Sequence, residues 1–155
     1  MDKNRGERNI MEQKNNPKIS FENYRINKLL LRDLEEGEKE GQIGISIGLN
    51  DKKNQVKLGI DITTKTRFVE IEMLGVFEFD EKTPEDEKEK FLEINGAAIL
   101  YPYIRAYIST ITSFNKEGNA LIIPTINFQS LYEERVKKQK EKSKTNTKKT
   151  NTKAK

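Results

Sequence analysis

The sequence predicts an α+β fold, in which a four-stranded antiparallel sheet is followed by two long helices. Between residues 21 and 79, four segments rich in apolar residues are separated by short polar turns. Short connections favour antiparallel strands, because parallel strands need long crossovers. Beyond residue 83 the apolar residues recur with helical spacing instead. Strands first and helices second is the order typical of α+β proteins.

The first predicted strand is the segment FENYRINKLLLRDL, and the charged turn EEGEKEG with its two glycines follows it. The next two strands alternate apolar and polar residues with a period of two. Their aliphatic residues are Ile43, Ile45, Ile47 and Leu49, then Val56, Leu58, Ile60 and Ile62. The fourth strand has a continuous apolar face. That face consists of Val69, Ile71, Met73, Phe77 and Phe79.

A first helix is predicted to begin after Thr83, a good N-cap, with Pro84 in its first turn. It is expected to end near Gly96, which would serve as a left-handed residue after the last turn. A second helix is predicted from about Ala97 to Phe114, with Pro102 tolerated close to its first turn. After an extended loop, Asn127 is expected to cap a last helix, FQSLYEERVKKQKEK.

The second helix carries more apolar surface than one sheet would cover. We predict that its isoleucines 99, 104 and 108 do not share a face with Leu100, Tyr107 and Ile111. The surplus favours a partner subunit, most simply in a symmetric oligomer. Tyrosines 101, 103 and 107 are interpreted as packing residues rather than as a ligand site.

Composition excludes several classes of function. The 155 residues include no Cys and no His, which removes thiol chemistry, the usual general base and the commonest metal ligand. No Gly-rich phosphate motif is present, and the carboxylates lack a catalytic spacing. We therefore expect no enzyme, no cofactor and no metal. The start of the chain lacks an apolar signal region, and no apolar run reaches about 18 residues, so a cytoplasmic protein is expected.

Charge divides the chain into three parts. Residues 1–19 are polar and are predicted to be disordered, residues 20–134 form the predicted domain, and residues 135–155 form a predicted disordered tail. The tail has ten Lys or Arg and one Glu, a net charge of +9, whereas the rest of the chain is at −5. Three interpretations of the tail remain open: a solvated segment, a site for nucleic acid or ribosomes, and a contact with anionic lipid.

The aliphatic loop Leu121–Pro124 is the strongest functional signal that the residues themselves provide. If it is exposed beside the sheet, it would bind apolar extended polypeptide. The alternative is that it folds back over the sheet as ordinary core.

Several ordered segments of the chain resemble the SecB family of protein-export chaperones. Ala98–Arg105, with the sequence AILYPYIR, resembles the start of a helix in that family, its most specific motif. The other matching segments are Tyr24–Leu34, Gly75–Phe77, Ile111–Thr112 with Gly118, and Leu121–Phe128. The resemblance covers about Phe21 to Tyr132.

The resemblance implies a dimer of dimers with helices between two sheets. It also implies ATP-independent holding of unfolded or precursor proteins, which pass to the SecA translocation motor. By the same resemblance, Asp33 and Glu70 match residues of the acidic motor-docking face. Client contact or its support is assigned to Val69, Ile71, Met73, Leu121, Ile122, Ile123 and Phe128. SecB-like relatives also serve as chaperones of antitoxins, which is the alternative duty for this chain.

Three features depart from the family pattern. The long crossover after the first strand is shortened to roughly Glu35–Gly41 and contains no aromatic residue, which predicts a groove that is shallower or has a different client preference. The family's docking face has a further acidic residue after the first strand. Gly37 occupies that position in this chain, with Glu35 and Glu36 as neighbours. A Lys-rich tail also stands where the family usually has an acidic one.

Overall fold

The structure is a computed structural model that describes residues 19–114 and 119–150, with side chains described as far as residue 144. Four strands form one antiparallel sheet: β1 (Ile19–Asp33), β2 (Gln42–Leu49), β3 (Gln55–Thr63) and β4 (Arg67–Phe79). Their order across the sheet is β1-β4-β3-β2, so β1 and β2 are the edge strands. The predicted α+β fold with a four-stranded antiparallel sheet is confirmed.

The connection from β1 to β2 crosses the whole end of the sheet. It leaves one edge, passes the turn between β3 and β4, and enters the other edge. The N–H of Leu34 donates to the carbonyl of Thr66 at 3.2 Å, and the N–H of Gly41 donates to the carbonyl of Thr63 at 2.6 Å. Gly37 and Gly41 have φ of 89° and 78°, a conformation that side chains disfavour. Two glycines therefore let a short segment make this crossing.

One face of the sheet forms the core. Eight alternate residues of β3 and β4 on this face are at most 4 % exposed, because the helices cover them. They are Val56, Leu58, Ile60 and Ile62 on β3, and Val69, Ile71, Met73 and Phe77 on β4. Strand register places the glutamates of β4 on the opposite face, as the period of two predicts.

The first two predicted helices are one continuous helix. Helix α1 (Glu85–Phe91) passes through a π-helical turn (Leu92–Gly96) into α2 (Ala97–Ser113). The prediction that the first helix ends at Gly96 is wrong, because Gly96 has helical angles, with φ −60° and ψ −46°. A Cβ on Gly96 would lie 3.0 Å from Cγ1 of Val56, so the glycine serves a close approach of the helix to β3.

Two details at the start of these helices also differ from expectation. Thr83 does not cap α1: its hydroxyl is buried without a hydrogen-bond partner among the described residues, and Pro84 occupies the N-cap position. Pro102 lies inside a continuous helix rather than near a first turn. Because proline has no N–H, the carbonyl of Ala98 lacks its helical partner. Ala98 and Pro102 are both exposed to solvent.

The apolar residues of α2 share a different face from the one predicted. Ile104 and Ile108 are fully buried together with Leu100, at the i, i+4 spacing of a single helix face. Ile99, Tyr107 and Ile111 are half-buried and flank this face. The error was to assign isoleucines 104 and 108 to the side of Ile99, although their spacing places them in line with Leu100.

The last helix, α3 (Phe128–Thr150), begins where the sequence predicted and extends further. The N–H of Ser130 donates to Oδ1 of Asn127 at 3.0 Å, which confirms Asn127 as the cap. The sequence placed the end of this helix near residue 142. Residues 1–18 lie outside the described part of the chain, and the three-part division at residues 19 and 134 stays a prediction. Residues 135–150, which the sequence predicted to be disordered, are helical. In the described residues, no helix combines the length and the apolar character needed to cross a membrane.

Candidate functional site

An apolar cavity of about 420 Å³ opens at the end of the sheet beneath the C-terminal turns of α2. Its walls come from β1, β4, the β3–β4 turn, α2 and the loop that follows α2. The apolar lining residues are Leu31, Val69, Ile111, Phe114, Ala120 and Leu121. The polar ones are Thr64, Lys65, Thr66, Arg67, Thr112 and Asn119. A depression of this size and lining holds one or two apolar side chains of a ligand.

Strand pairing forms the floor of the cavity. Leu31 and Val69 are register partners on β1 and β4, so their side chains lie next to each other on the core face. The β3–β4 turn closes the end of the sheet. Oγ1 of Thr64 accepts the N–H of Arg67 at 3.0 Å, which holds the turn in place. The floor is therefore built on regular, hydrogen-bonded elements.

Two hydrogen bonds hold the loop of residues 119–127, here called the apolar loop, against α2. The hydroxyl of Thr112 donates to the carbonyl of Ile108 at 2.7 Å and accepts the N–H of Leu121 at 2.8 Å. The hydroxyl of Tyr101 donates to the carbonyl of Pro124. Burial raises the pKa of Tyr101, so the phenol stays protonated as a donor. The loop is thus attached at both ends of its aliphatic run.

The aliphatic residues of the apolar loop alternate between core and solvent. Ile123 is 2 % exposed and belongs to the core, Leu121 lines the cavity, and Ile122 is 74 % exposed. The loop is therefore partly exposed and partly core, because neighbouring residues of an extended segment point to opposite sides.

Large apolar side chains are exposed around the cavity. Phe114, which lines it, is 83 % exposed, and Leu29 on β1 is 46 % exposed. Together with Ile122 they offer apolar surface that an unfolded polypeptide would cover on binding. None of these contacts requires a particular sequence in the ligand.

The polar rim of the cavity is basic. Lys65 and Arg67 both lie in its wall, and Nε of Arg67 is 3.2 Å from Oδ1 of Asp33. Asp33 is otherwise open to solvent, with its side chain 89 % exposed. The arrangement can bind apolar groups. Among the described residues, no cluster of three or more acidic side chains could hold a metal ion.

A second, more open depression of about 450 Å³ lies on the other side of the apolar loop. Residues of the π-helical turn and of the segment before α3 line it. They include Ile94, Asn95, Ala98, Thr125, Ile126 and Phe128. The apolar loop therefore borders two depressions, and a long extended ligand can contact both.

The predicted client-binding residues occupy three different environments. Leu121 lines the cavity and Ile122 is exposed, so both are accessible to a ligand, whereas Val69 lines the cavity floor at 0 % exposed. Phe128 is 4 % exposed and lines the second depression. Ile71, Met73 and Ile123 are buried under α2 and the loop, where they support the site from below.

The two predicted docking residues are separated by the sheet. Register places Asp33 opposite Arg67 on the core face, whereas Glu70 is opposite Leu30 on the outer face. Each is paired with a cation: Asp33 with Arg67, and Glu70 with Nζ of Lys28 at 2.8 Å.

The shortened crossover is ordered by a residue that sequence reasoning did not single out. Arg32 makes a bidentate hydrogen bond to Glu38, at 2.9 and 2.7 Å. The Arg32 guanidinium is the main cause that lowers the pKa of Glu38 to about 2, and the N–H of Glu35 adds to it. Arg32 also lies 4.3 Å above the ring of Phe68. No residue of the crossover lines the cavity.

Phe114 and Thr112 were also missed as site residues. The signal for Phe114 was present, because it is a large apolar residue directly before a polar segment and outside the buried spacing of α2. Thr112 carried no such signal, because its role depends on a loop that returns to the helix from nine residues further on.

Comparison with known proteins places the chain among SecB-type sequences. Residues 7–139 match the family model for SecB, the preprotein translocase subunit. An uncharacterized protein of Methanocaldococcus jannaschii is 32% identical over 124 residues, covering 70% of this chain and 79% of its own length. The protein-export protein SecB of Cereibacter sphaeroides is 27% identical over 130 residues, covering 74% of each chain.

Two solved structures are similar at lower identity. One is a SecB-like chaperone of Mycobacterium tuberculosis in complex with a peptide from an antitoxin, with 16% identity and a TM-score of 0.48. The match covers 70% of this chain and 91% of that one. The other is a protein of unknown function from Streptococcus agalactiae, with 9% identity and a TM-score of 0.49, over 72% of this chain and 100% of that one.

Proposed function

Because the chain belongs to the SecB family, we propose that it is an ATP-independent holdase chaperone. It binds unfolded or precursor polypeptides in the cytoplasm and delivers them for protein export. The name of the Cereibacter sphaeroides relative supports the export part of this proposal.

The observation that carries the proposal is the apolar cavity with exposed apolar residues beside it. Apolar side chains of a client would enter the cavity between Leu31, Val69 and Leu121. Phe114 and Ile122 would cover neighbouring parts of the client, since both are more than 70 % exposed in the free chain. The contacts are hydrophobic and lack a sequence code, which suits a holdase for many unfolded proteins.

An oligomer would carry one copy of the apolar cavity on each subunit. We propose a homotetramer, a dimer of dimers, because helix α2 leaves the edges of the core face open. Leu29 on β1 and Ile43 and Ile45 on β2 are 36–46 % exposed on that face, and both strands have an unpaired edge within the described chain. Several sites on one assembly bind a long unfolded chain with avidity.

Delivery requires a contact with the export machinery, and we propose that Asp33 and Glu70 take part in docking to a SecA motor. A single flat partner surface cannot reach both residues, because they belong to opposite faces of the sheet. Docking would also have to compete with Lys28 and Arg67 for these carboxylates. The two residues are therefore expected to serve separate contacts.

The proposal is tested by the suppression of aggregation of a chemically unfolded protein in the absence of ATP. The Ile122→Asp variant is expected to bind the unfolded protein about tenfold more weakly, because it replaces an exposed apolar contact of about 1.5 kcal/mol with a charge. Ile122 is 74 % exposed, so the fold tolerates the change.

The matched control is Ser130→Asp, which adds the same charge at an exposed position on α3 outside both depressions. It should suppress aggregation like the unmodified chain. If neither the unmodified chain nor the control suppresses aggregation, the holdase proposal is wrong. If both aspartate variants suppress aggregation fully, the apolar loop is not the site.

A further inference from the structure

The C-terminal part of α3 is a second surface whose chemistry differs from that of the apolar site. The first turns of α3 pack on the body: Phe128 is 4 % exposed, and Leu131 and Tyr132 are half-buried. From residue 137 to residue 144 every side chain is exposed. Residues 135–150, here called the basic arm, continue the same helix without a break. At 1.5 Å per residue the arm is about 24 Å long.

The basic arm is held at a fixed point of the body. Arg135, its first residue, forms an ion pair with Glu93 of the π-helical turn, and the Glu93 side chain is only 6 % exposed. The guanidinium of Arg135 also lies 5.7 Å from the ring centre of Tyr132. A helix anchored in this way projects from the body in a set direction, unlike a tail joined by a flexible linker.

The positive charges of the arm spread around much of the helix. At 100° per residue, Arg135 and the lysines at 137, 138, 140, 142 and 144 cover about 220° of its circumference. None of these five lysines forms an ion pair with another described residue, although the rest of the chain is acidic. Their charge is therefore available to an external anion.

The sequence of the arm argues against two kinds of anionic partner. Val136 is the only apolar residue between positions 135 and 150, so the arm has no apolar face to insert into a lipid interface. The same stretch has no aromatic residue, so it offers no stacking platform for single-stranded bases. A flat lipid surface would also reach only the cations on one side of the helix.

A double helix of nucleic acid matches the remaining features. Its phosphates lie on both walls of a groove, so they can reach cations spread over more than half of a helix circumference. Lysine binds phosphate as a point charge and needs no aromatic neighbour. We propose that the basic arm binds the phosphate backbone of double-helical nucleic acid, as a second binding activity separate from the apolar site.

The test is fluorescence anisotropy of labelled 20-base-pair RNA and DNA duplexes with the full chain, at 50 and 200 mM KCl. With about five phosphate contacts, the affinity should fall about 500-fold between these salt concentrations. An arm variant replaces Lys137, Lys138, Lys140, Lys142 and Lys144 with Gln. We expect it to bind the duplex about 100-fold more weakly at 50 mM KCl.

A matched body variant replaces five lysines outside the arm with Gln and has the same net charge. These are Lys39, Lys52, Lys82, Lys88 and Lys90. It should bind within about threefold of the unmodified chain. Equal losses in the two variants would overturn the proposal, because binding would then depend on total charge alone.

Two further measurements identify the ligand. Binding to either duplex supports the proposal, and the tighter duplex shows whether RNA or DNA is the source of the phosphates. Vesicles of phosphatidylserine and phosphatidylcholine serve as the lipid probe. If the full chain binds these vesicles and neither duplex, or binds none of the three, the proposal is wrong. Suppression of aggregation by the arm variant should be unchanged, since its substitutions lie outside the apolar site.

Discussion

At the scale of single residues, the outer face and the crossover depend on paired charges. Lys28 pairs with Glu70 at 2.8 Å and Lys57 with Glu72 at 3.6 Å across neighbouring strands. Such half-exposed pairs contribute little stability individually. The pair of Arg32 and Glu38 is different, because its bidentate geometry also orders a loop.

The Glu38 carboxylate makes the order of the crossover depend on pH. Its pKa is about 2 when folded, below the ordinary value of 4.5. A lowered carboxyl pKa stabilises the folded crossover above about pH 4.5, and this contribution is lost as the pH falls from 4.5 towards 2. The backbone N–H of Glu35 donates to the carboxylate of Glu38 at 2.7 Å. The NMR shift of the Glu35 amide therefore reports the titration of Glu38.

We therefore expect the Glu35 amide shift to change little between pH 7 and pH 4 and to move below that. In Glu38→Gln the low-pH step should disappear, whereas Glu36→Gln, at an exposed neighbouring position, should retain it. A step that persists in Glu38→Gln would assign the titration to another carboxyl group.

At the scale of elements, the helix lies very close to the sheet. Gly75 on β4 faces Leu100 of α2, and Gly96 of the π-helical turn faces Val56 of β3. The prediction of a helix end at Gly96 failed for this reason: a glycine that permits close packing looks the same in sequence as a glycine that ends a helix.

Gly75→Ala should destabilise the protein by about 1–3 kcal/mol, because overpacking of a core has costs of this size. The added Cβ would lie 2.9 Å from Cδ2 of Leu100, which is fully buried and cannot move away freely. The measurement is urea unfolding at a fixed protein concentration.

Gly48→Ala is the matched control on another strand. There the nearest atom to an added Cβ is Cε of Lys57 at 3.7 Å, an ordinary contact with a flexible side chain. It should be neutral or slightly stabilising. Similar losses of stability in both variants would mean that glycine itself, rather than the contact with Leu100, determines the effect.

At the scale of the whole molecule, one chain leaves its core face partly uncovered. The strands at both edges carry exposed aliphatic residues, while α2 covers the centre of the sheet. A larger assembly would cover this surface. The sequence predicted surplus apolar surface on helix α2, but the Leu and Ile residues of that helix are buried or half-buried, and the exposed aliphatic residues of the core face lie on β1 and β2 instead.

Light scattering should give the mass of a tetramer for the full chain and for a chain that ends at Glu134. The truncation removes the whole basic arm but retains Phe128, Leu131 and Tyr132, which pack on the body. A monomer for the full chain would contradict the proposed assembly. A tetramer only with the arm present would show that the arm contributes to the assembly.

The local features of this protein can be predicted from its sequence alone. The period of two predicted the core-facing residues of β2, β3 and β4, helical spacing predicted α2, and Asn127 predicted the start of α3. These signals succeed because alternation and capping act between residues that are close along the chain.

The way in which distant segments meet is visible in the tertiary structure and not in the sequence. The structure shows the strand order that brings Leu31 beside Val69, the continuous helix past Gly96, and the return of the apolar loop to Thr112. It also separates Asp33 from Glu70. Each of these depends on contacts between residues far apart in sequence, for which no spacing rule along a single chain provides a signal.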